Sequence, residues 1–368
     1  MVTPESLRDF KPQRPAALLL ACLMVLSVEL VVRCIPEKHL FNFSSRLGFA
    51  HFIATDVLPK FKQPQVVIFG TSRAADAIMP TRLDTELGLP PNSTANISMF
   101  ASHTSDWEAL YRDNRAKLSG AKLVVCALDV WSFSTGYAND EHFCMVAPLT
   151  DRIHYIDGVE LPECTNETPE AKSRRESEHH EHLITRRNVL IADGLFSMRL
   201  KLQYVPAALF RVLHLGDIRR PRFDQNNMIR TNKGDIVGKL DDYEKYENRL
   251  AFEFGKFDTQ PTYVRHIESL ARMAQEDGAR FVLLQLPNRR RYQDLVAKRF
   301  PECYAQHKRV VENLAGRLGV TLLFVDYPEE IGLTDTDYED YGHMVTSGAN
   351  GATDWLGNEI KRHGWLKN

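Results

Sequence analysis

The sequence predicts an α/β fold: an open, doubly wound sheet of five parallel strands with helices on both faces. Two observations lead to this prediction. The chain contains short, near-continuous apolar runs rich in β-branched residues, which is the pattern of strands buried on both faces. Amphipathic helical stretches lie between these runs, and strand, helix, strand at this spacing pairs in parallel. A large, mainly helical insertion and an N-terminal transmembrane helix complete the predicted architecture.

The clearest predicted strand is residues 65–69 (QVVIF), an apolar run of strand length that is stopped by Gly70. The complete set of predicted strands is 65–69, 94–99, 122–128, 280–286 and 320–325. Helices are predicted over 106–118, 263–277, 293–318 and about 347–361. Their order along the chain alternates strand with helix, as a parallel sheet with crossover helices requires.

The chain has 368 residues, of which 43% are hydrophobic and 26% charged, close to the averages for globular proteins. Lys and Arg total 46 against 48 Asp and Glu, which gives a net charge of −2. Without a basic excess there is no overall field that would attract nucleic acid, so no nucleic-acid partner is expected. The length accommodates two domains, or one α/β domain with a large insertion.

An apolar run near the N-terminus predicts a single membrane span over residues 16–35. Basic residues before it place residues 1–15 in the cytoplasm and the following chain across the membrane, in the periplasm or outside the cell. A linker then occupies residues 36–62, and residues 63–368 form an extracytoplasmic domain. Two alternatives remain: a cleaved signal peptide, and a lipoprotein site at residues 19–22 (LLAC).

Residues 132–259 separate the third and fourth predicted strands and are too long for a loop. We interpret this segment as a mainly helical insertion. Cys144 and Cys164 lie within it, and their spacing suits a disulfide in an oxidising compartment as well as it suits two free thiols. Residues 179–182 (HHEH) occupy helix positions that point in different directions, which favours a solvated face over a metal site.

Ligands bind beyond the carboxyl ends of the strands in an open α/β sheet, so the residues after each strand are the candidates for chemistry. The first strand is followed by Gly70-Thr71-Ser72-Arg73, which places Ser72 on a tight turn between a strand and a helix. Backbone N–H groups at such a helix start bind a developing oxyanion, while the turn exposes the hydroxyl. The alternative is that Ser72 only caps the next helix.

A second candidate follows the last strand, where Asp340-Tyr341-Gly342-His343 precedes a run of small residues. An Asp three residues before a His allows the carboxylate to hold one ring nitrogen while the other faces a nucleophile. Loops after the first and the last strand lie at the same edge of a parallel sheet. We therefore expect Ser72 and His343 to meet although they are far apart in the chain.

These residues resemble the motifs of the SGNH (GDSL-like) hydrolase superfamily: Ser72 in Gly-Thr-Ser-Arg, and Asp340-x-x-His343 near the C-terminus. The resemblance covers residues 64–131 and 260–363. It is strongest to membrane-anchored members such as alginate-type O-acetyltransferases and the D-alanyl transfer protein of teichoic acid synthesis. It implies a flavodoxin-like sheet and a catalytic triad, in which Ser72 is the nucleophile, His343 the general base and acid, and Asp340 the residue that orients the histidine.

The resemblance also implies an oxyanion hole, in which the backbone N–H of Ser72 is joined by a donor from the family's second motif. Ser102 stands in this chain where the family has a glycine. Asp129 replaces the asparagine that the family has after the third strand. Asp129 and Arg73, beside the nucleophile, are the candidate substrate-binding residues, and an ion pair at the helix start is the alternative role for Arg73.

The function implied is ester hydrolysis or O-acyl transfer to a cell-surface polysaccharide or glycopolymer, with an acyl donor as the second substrate. Such chemistry requires no metal and no organic cofactor. A multi-pass membrane acyltransferase is the implied protein partner. The remaining alternatives are a non-catalytic scaffold or carbohydrate-binding partner with the same fold, and a free-standing esterase. An ordinary α/β-hydrolase is disfavoured because Ala74 stands where the Gly-x-Ser-x-Gly motif requires glycine.

Overall fold

The computed structural model of the protein describes the predicted sheet with its helices and a few other segments. The described residues are 15–34, 53, 57–99, 102–133, 169–170, 173–174, 176–177 and 261–367. Nearly all of the insertion 132–259 lies outside the described residues. This includes Cys144 and Cys164, for which the sequence leaves a disulfide and two free thiols open, and the histidine cluster at 179–182. The same holds for nearly all of the predicted cytoplasmic segment 1–15 and for much of the linker.

The described residues contain a five-stranded sheet in the order β2-β1-β3-β4-β5, with every pair of neighbours parallel. The strands are β1 Val66–Phe69, β2 Thr94–Asn96, β3 Leu123–Leu128, β4 Arg280–Gln285 and β5 Thr321–Phe324. In register, Ile68 lies beside Asn96 of β2 and Val125 of β3. The predicted α/β fold with five parallel strands is confirmed, and the strand order is that of flavodoxin-like sheets.

Among the described residues, helix α1 precedes the sheet, and the other helices lie between the strands or follow the last one. Their bounds are α1 Pro15–Cys34, α2 Ser72–Ala77, α3 Pro80–Leu87, α4 Thr104–Asp113, α5 Arg115–Leu118, α6 Pro261–Glu276, α7 Arg290–Arg299, α8 Pro301–Leu318 and α9 Thr346–His363. Short 3-10 helices lie at Leu58–Lys60, Val130–Phe133, Pro328–Ile331 and Asp335–Asp337.

Both faces of the sheet are covered, and β1 illustrates how its residues divide between them. Val67 and Phe69 belong to a core that includes residues of α4, α6 and α8. Val66 and Ile68 belong to a second core with residues of α2, α3 and α9. Successive side chains of a strand point to opposite faces, so a strand covered on both sides must be apolar throughout. This is why the strands were recognisable as continuous apolar runs.

Three helical segments differ from the prediction. The helix predicted over 106–118 is two helices, α4 and α5. The helix predicted over 293–318 is two helices, α7 and α8, because Pro301 begins a new one. Proline lacks an N–H and disfavours the helical conformation of the residue before it, and Phe300 is non-helical with φ −134° and ψ 49°. Helix α3 has no counterpart in the prediction. It is only eight residues long and starts at Pro80, which leaves too few turns for a clear apolar period.

A membrane span is predicted over residues 16–35, and helix α1 covers Pro15–Cys34 of the described residues. Within the described part of the chain, however, no helix is both long enough and apolar enough to cross a bilayer. The prediction of a transmembrane helix is therefore not confirmed.

His307 of α8 is a completely buried histidine. Its Nε2 lies 2.9 Å from Oε1 of Gln285 in β4, and the rings of Phe133 and Phe324 lie 6.0 and 6.3 Å from its ring. An amide oxygen only accepts hydrogen bonds, so Nε2 carries the proton that it donates. Burial lowers the pKa of His307 to about 3, which keeps the imidazole neutral at ordinary pH.

We expect the free energy of unfolding to decrease as the pH falls below about 6.5, the pKa of a histidine in an unfolded chain. Below that pH the unfolded chain binds a proton at His307 and the folded chain does not. One such group removes about 1.4 kcal/mol per pH unit, until the pH approaches the folded pKa. Urea unfolding at several pH values measures the effect. His307→Gln keeps a donor for Gln285 without titrating, and an unchanged pH slope in this variant would contradict the prediction.

Candidate active site

Ser72 lies just beyond the carboxyl end of β1, as the first residue of α2. Thr71 is the N-cap of this helix, and its Oγ1 accepts a hydrogen bond of 3.3 Å from the N–H of Arg73. The alternative in which Ser72 itself is the capping residue is therefore wrong. Because Thr71 fills that position, the hydroxyl of Ser72 is left for a partner outside the helix.

Gly70 allows the start of α2 to approach the sheet closely. A Cβ at this position would lie 2.5 Å from Cβ of Ala74 and 3.1 Å from Cβ of Ala127. Atoms in a close-packed interior do not tolerate such distances, so glycine is needed here. The small side chains of Ala74 and Ala127 complete the contact, which fixes the first turn of α2, and with it Ser72, at this edge of the sheet.

Asp340 holds His343 beside it through hydrogen bonds to the backbone and the ring within its own loop. Oδ1 of Asp340 accepts hydrogen bonds from the backbone N–H groups of Gly342 and His343, both at 2.8 Å. Its other oxygen, Oδ2, lies 2.7 Å from Nδ1 of His343. The loop is anchored by an antiparallel bridge between Tyr338 and Met344, which are both buried in the core under α9. A three-residue spacing thus lets one carboxylate hold both the backbone and the ring.

The structure brings Ser72 and His343 together, with Oγ of Ser72 2.8 Å from Nε2 of the histidine. An ionised Asp340 only accepts hydrogen bonds, so Nδ1 of His343 must carry the proton between them. Nε2 then accepts the hydrogen bond that the Ser72 hydroxyl donates. Serine, imidazole and carboxylate form one continuous chain, in the arrangement that activates a serine for nucleophilic attack.

The charges around these three side chains favour proton uptake by His343. Burial alone would raise the pKa of Asp340. The hydrogen bond from His343, the charge of the imidazolium and the N–H groups of Gly342 and His343 together lower this pKa to about 2. Burial likewise opposes protonation of His343, yet Asp340 above all, together with Asp76, raises its pKa above the ordinary histidine value. Asp340 is thus ionised at neutral pH and stabilises the imidazolium that forms when His343 accepts the serine proton.

Ser102 is buried, and its hydroxyl and backbone N–H are both directed to carbonyl oxygens of neighbouring residues. Its hydroxyl is 3.1 Å from the carbonyl oxygen of Gly70 and 2.9 Å from that of Met99, and it accepts a 2.7 Å hydrogen bond from the indole N–H of Trp107. Its backbone N–H points to Met99 at 3.4 Å. These contacts give no support to the prediction that Ser102 is an oxyanion donor. They show a residue that ties the ends of β1 and β2 together.

Arg73 and Asp129, both predicted to bind substrate, bind each other instead. Both are buried, and Nη1 of Arg73 lies 3.3 Å from Oδ1 of Asp129. The other carboxylate oxygen of Asp129 accepts a short hydrogen bond from the hydroxyl of Thr71. Burial opposes the charge of Arg73, but Asp129 and further negative neighbours raise its pKa overall. The ion-pair alternative for Arg73 is therefore the one that the structure supports.

Three polar residues near the site are not singled out by the sequence. Asn288, two residues beyond the predicted fourth strand, accepts a short hydrogen bond from Arg73. Asn96 donates to the carbonyl oxygens of Ala74 and Ile78, both at 2.9 Å, and so ties the end of β2 to α2. Asp76 is completely buried one turn after Ser72. Asn288 could have been found from its position in the sequence, because it follows a predicted strand at the carboxyl edge of the sheet.

No protein-family model and no curated protein matches this chain. The chemistry of the site is therefore read from its own geometry. A serine bonded to an imidazole that is oriented by a carboxylate suits covalent acyl transfer, in which the serine carries the acyl group between two steps.

Proposed function

We propose that this protein is a serine esterase or O-acyltransferase of the SGNH type. Ser72 is the nucleophile, His343 is the general base and acid, and Asp340 orients the histidine and stabilises its imidazolium. The observation that carries the proposal is the pair of contacts at His343. Nε2 lies 2.8 Å from the Ser72 hydroxyl, and Nδ1 lies 2.7 Å from Asp340. Separations of this size lie within the range expected of a nucleophile, its base and the group that orients the base.

In the first step Oγ of Ser72 bonds to the carbonyl carbon of the acyl ester while Nε2 of His343 takes the hydroxyl proton. The tetrahedral intermediate collapses as the imidazolium returns that proton to the leaving alcohol, which breaks the ester bond and leaves an acyl-serine. In the second step water or a sugar hydroxyl attacks the acyl-serine while His343 takes its proton. The bond between the acyl carbon and Oγ then breaks, and the imidazolium returns the proton to Oγ of Ser72. Water releases a carboxylic acid, and a sugar hydroxyl yields a new ester.

The oxyanion formed in both steps needs hydrogen-bond donors near Ser72. The first N–H groups of a helix have no acceptor in a preceding turn, and Ser72 is the first residue of α2. This position supports its own N–H as one donor. Since the contacts of Ser102 are directed elsewhere, we propose no donor from that residue.

The acceptor and the partner are proposed from the resemblance alone. It supports a polysaccharide or glycopolymer as acceptor, a multi-pass membrane acyltransferase as the source of acyl groups, and a location at the cell membrane with the sheet domain outside the cytoplasm. The side chains of His343 and Asp340 are 20% and 27% exposed, so the site is open enough for a polymer hydroxyl to reach. The same openness admits water, which supports hydrolysis as the reaction in the absence of an acceptor.

A serine-reactive fluorophosphonate tests the nucleophile directly. We expect one covalent adduct per chain on the peptide that contains Ser72, because only a serine activated by a base reacts readily with such a reagent. Ser269→Ala is a matched control. Ser269 also lies in a cluster with an acid and a histidine, but its hydroxyl donates to Glu108 at 2.6 Å rather than to the imidazole of His266.

Labelling should therefore persist in Ser269→Ala and be lost in Ser72→Ala. If the folded native chain takes up no label, or if label remains after Ser72→Ala, the proposed catalytic role is wrong. Absence of label on the native chain would favour the non-catalytic scaffold, whereas label that persists in Ser72→Ala would indicate a different nucleophile.

A further inference from the structure

The side chain of Arg73 crosses from the nucleophile to the histidine loop through the interior of the protein. It is only 7% exposed, although it carries a full charge. Its neighbours come from three separate parts of the carboxyl edge: Asp129 after β3, Asn288 after β4, and the loop that carries His343. One guanidinium thus connects the residues after β3 and β4 to the loop that carries His343.

The contact with the histidine loop is made over Gly342. A Cβ at that position would lie 2.6 Å from Cζ and 2.9 Å from Nη2 of Arg73, so the guanidinium rests directly on the loop backbone. The neighbouring ring of Tyr341 has its centroid 5.0 Å from Cζ, within the range of a cation–π contact. Gly342 and Tyr341 are the two residues immediately before His343, so a shift of the guanidinium is transmitted to the imidazole.

The residues that contact the guanidinium are themselves held in place by further contacts. Asp129 binds Thr71 through its side chain, and its backbone N–H donates to Oγ of Ser132 at 2.9 Å. The amide nitrogen of Asn288 donates to Oε1 of Gln293 at 3.1 Å. Tyr341 stacks on Tyr292 with ring centroids 4.9 Å apart. The planar, multiply bonded guanidinium is matched to these fixed partners, which a lysine ammonium would not reproduce.

From these contacts we infer that Arg73 is a positioning residue: its buried guanidinium sets the location of His343 relative to Ser72 by bracing Gly342 and Tyr341 against Asp129 and Asn288. The inference rests on the proposed esterase or acyltransferase function. It replaces the role predicted from the sequence, in which Arg73 receives a negative group of the substrate. A guanidinium enclosed with a carboxylate of its own is poorly placed for that role.

The test compares Arg73→Lys and Arg73→Met with the native protein in hydrolysis of 4-nitrophenyl acetate. We expect kcat to fall about 10- to 100-fold in both variants with KM nearly unchanged, because misplacement of a catalytic group by about 1 Å has effects of this size. Arg82→Met is the matched control. Arg82 pairs with Asp354 on the outer side of α3 and α9, and its loss should leave kcat and KM unchanged.

A second readout separates positioning from general damage to the fold. His343 is faced by the charges of Asp340, Asp76 and Arg73 and by the ring of Tyr341, and Arg73 acts to lower the pKa of the imidazole. In Arg73→Met the pKa of His343, followed by NMR titration of its ring, should therefore rise, whereas in Arg73→Lys it should stay close to the native value. Gly342→Ala, which displaces the guanidinium without removing it, should reproduce the loss in kcat.

A large rise in KM with kcat intact would overturn the inference in favour of substrate binding. Unchanged kcat in Arg73→Lys and Gly342→Ala would overturn it as well. Should Arg73→Met fail to fold, these two variants still decide the matter. Failure of the proposed function has a different signature, namely no label on Ser72 in the native protein. In that case the titration of His343 still shows whether Arg73 controls the imidazole.

Discussion

Replacing Ser72 with alanine is expected to reduce kcat for ester hydrolysis by about 10⁴- to 10⁶-fold, as removal of a triad member does in serine hydrolases. The expectation follows from the position of the hydroxyl, which is the group that would bond to the acyl carbon and which lies 2.8 Å from Nε2 of His343. Initial rates with 4-nitrophenyl acetate measure the effect. Circular dichroism and thermal unfolding verify that the variant retains its fold.

His343→Ala should be nearly as damaging, and the double variant should be no worse than either single one. Groups that act as a unit are strongly non-additive, because the hydroxyl without its base is as inactive as the base without its hydroxyl. Two independent losses that multiply in the double variant would contradict a shared mechanism. Retention of more than about a tenth of the native rate in Ser72→Ala would point to a different nucleophile.

The second large effect is expected for Asp340→Asn, with a decrease in kcat of about 10⁴-fold. The Oδ1 atom of asparagine still accepts the N–H groups of Gly342 and His343, so the loop is retained. The amide nitrogen, however, donates a hydrogen bond where Oδ2 accepts one. Nδ1 of His343 must then lose its proton, and Nε2 carries a hydrogen that points at Ser72 instead of a lone pair that could accept its proton.

The pH dependence of kcat/KM gives an independent check on Asp340. His343 must be neutral to act as a base, so kcat/KM of the native protein rises with pH through the pKa of His343, which Asp340 raises above the ordinary histidine value. Without that carboxylate, burial lowers the pKa, and the acid limb should move to lower pH in Asp340→Asn. Asp354→Asn, in the surface pair with Arg82, should move neither kcat nor the limb. A native acid limb in Asp340→Asn would contradict the assignment.

The sheet and the contacts among Ser72, His343 and Asp340 could be predicted because each depends on features that are local or set by topology. A strand covered on both faces must be apolar along its length, and β1 and β3 are buried throughout. Parallel strands bring the turn at Ser72 and the loop at His343 to one edge, so their meeting follows from strand direction alone. Asp340 is only three residues from His343, and that spacing is visible in the chain.

The roles of the surrounding polar residues could not be predicted, because they depend on which side chains are adjacent in space. The residues beyond β1, β3 and β4 supply Arg73, Asp129 and Asn288, and nothing in their spacing along the chain shows that they neutralise and hold one another. Ser102 could donate to a ligand or to its own loop, and in the structure the nearby carbonyl oxygens of Gly70 and Met99 are its acceptors. Helix α3, in turn, is too short to show a clear apolar period in the sequence, and its contacts with α9 are visible only in the structure.

Ser72 and His343 lie 271 positions apart in the chain, and under the proposed mechanism this separation determines when the serine becomes reactive. A ribosome must synthesise the chain at least as far as the histidine, and β4 and β5 must pair, before the hydroxyl acquires its base. Contacts between such distant positions form late, because the entropy of closing a long loop is lost before any contact compensates for it. Under that mechanism a nascent or half-folded chain holds an inert serine, and reactivity arises only with the finished tertiary structure.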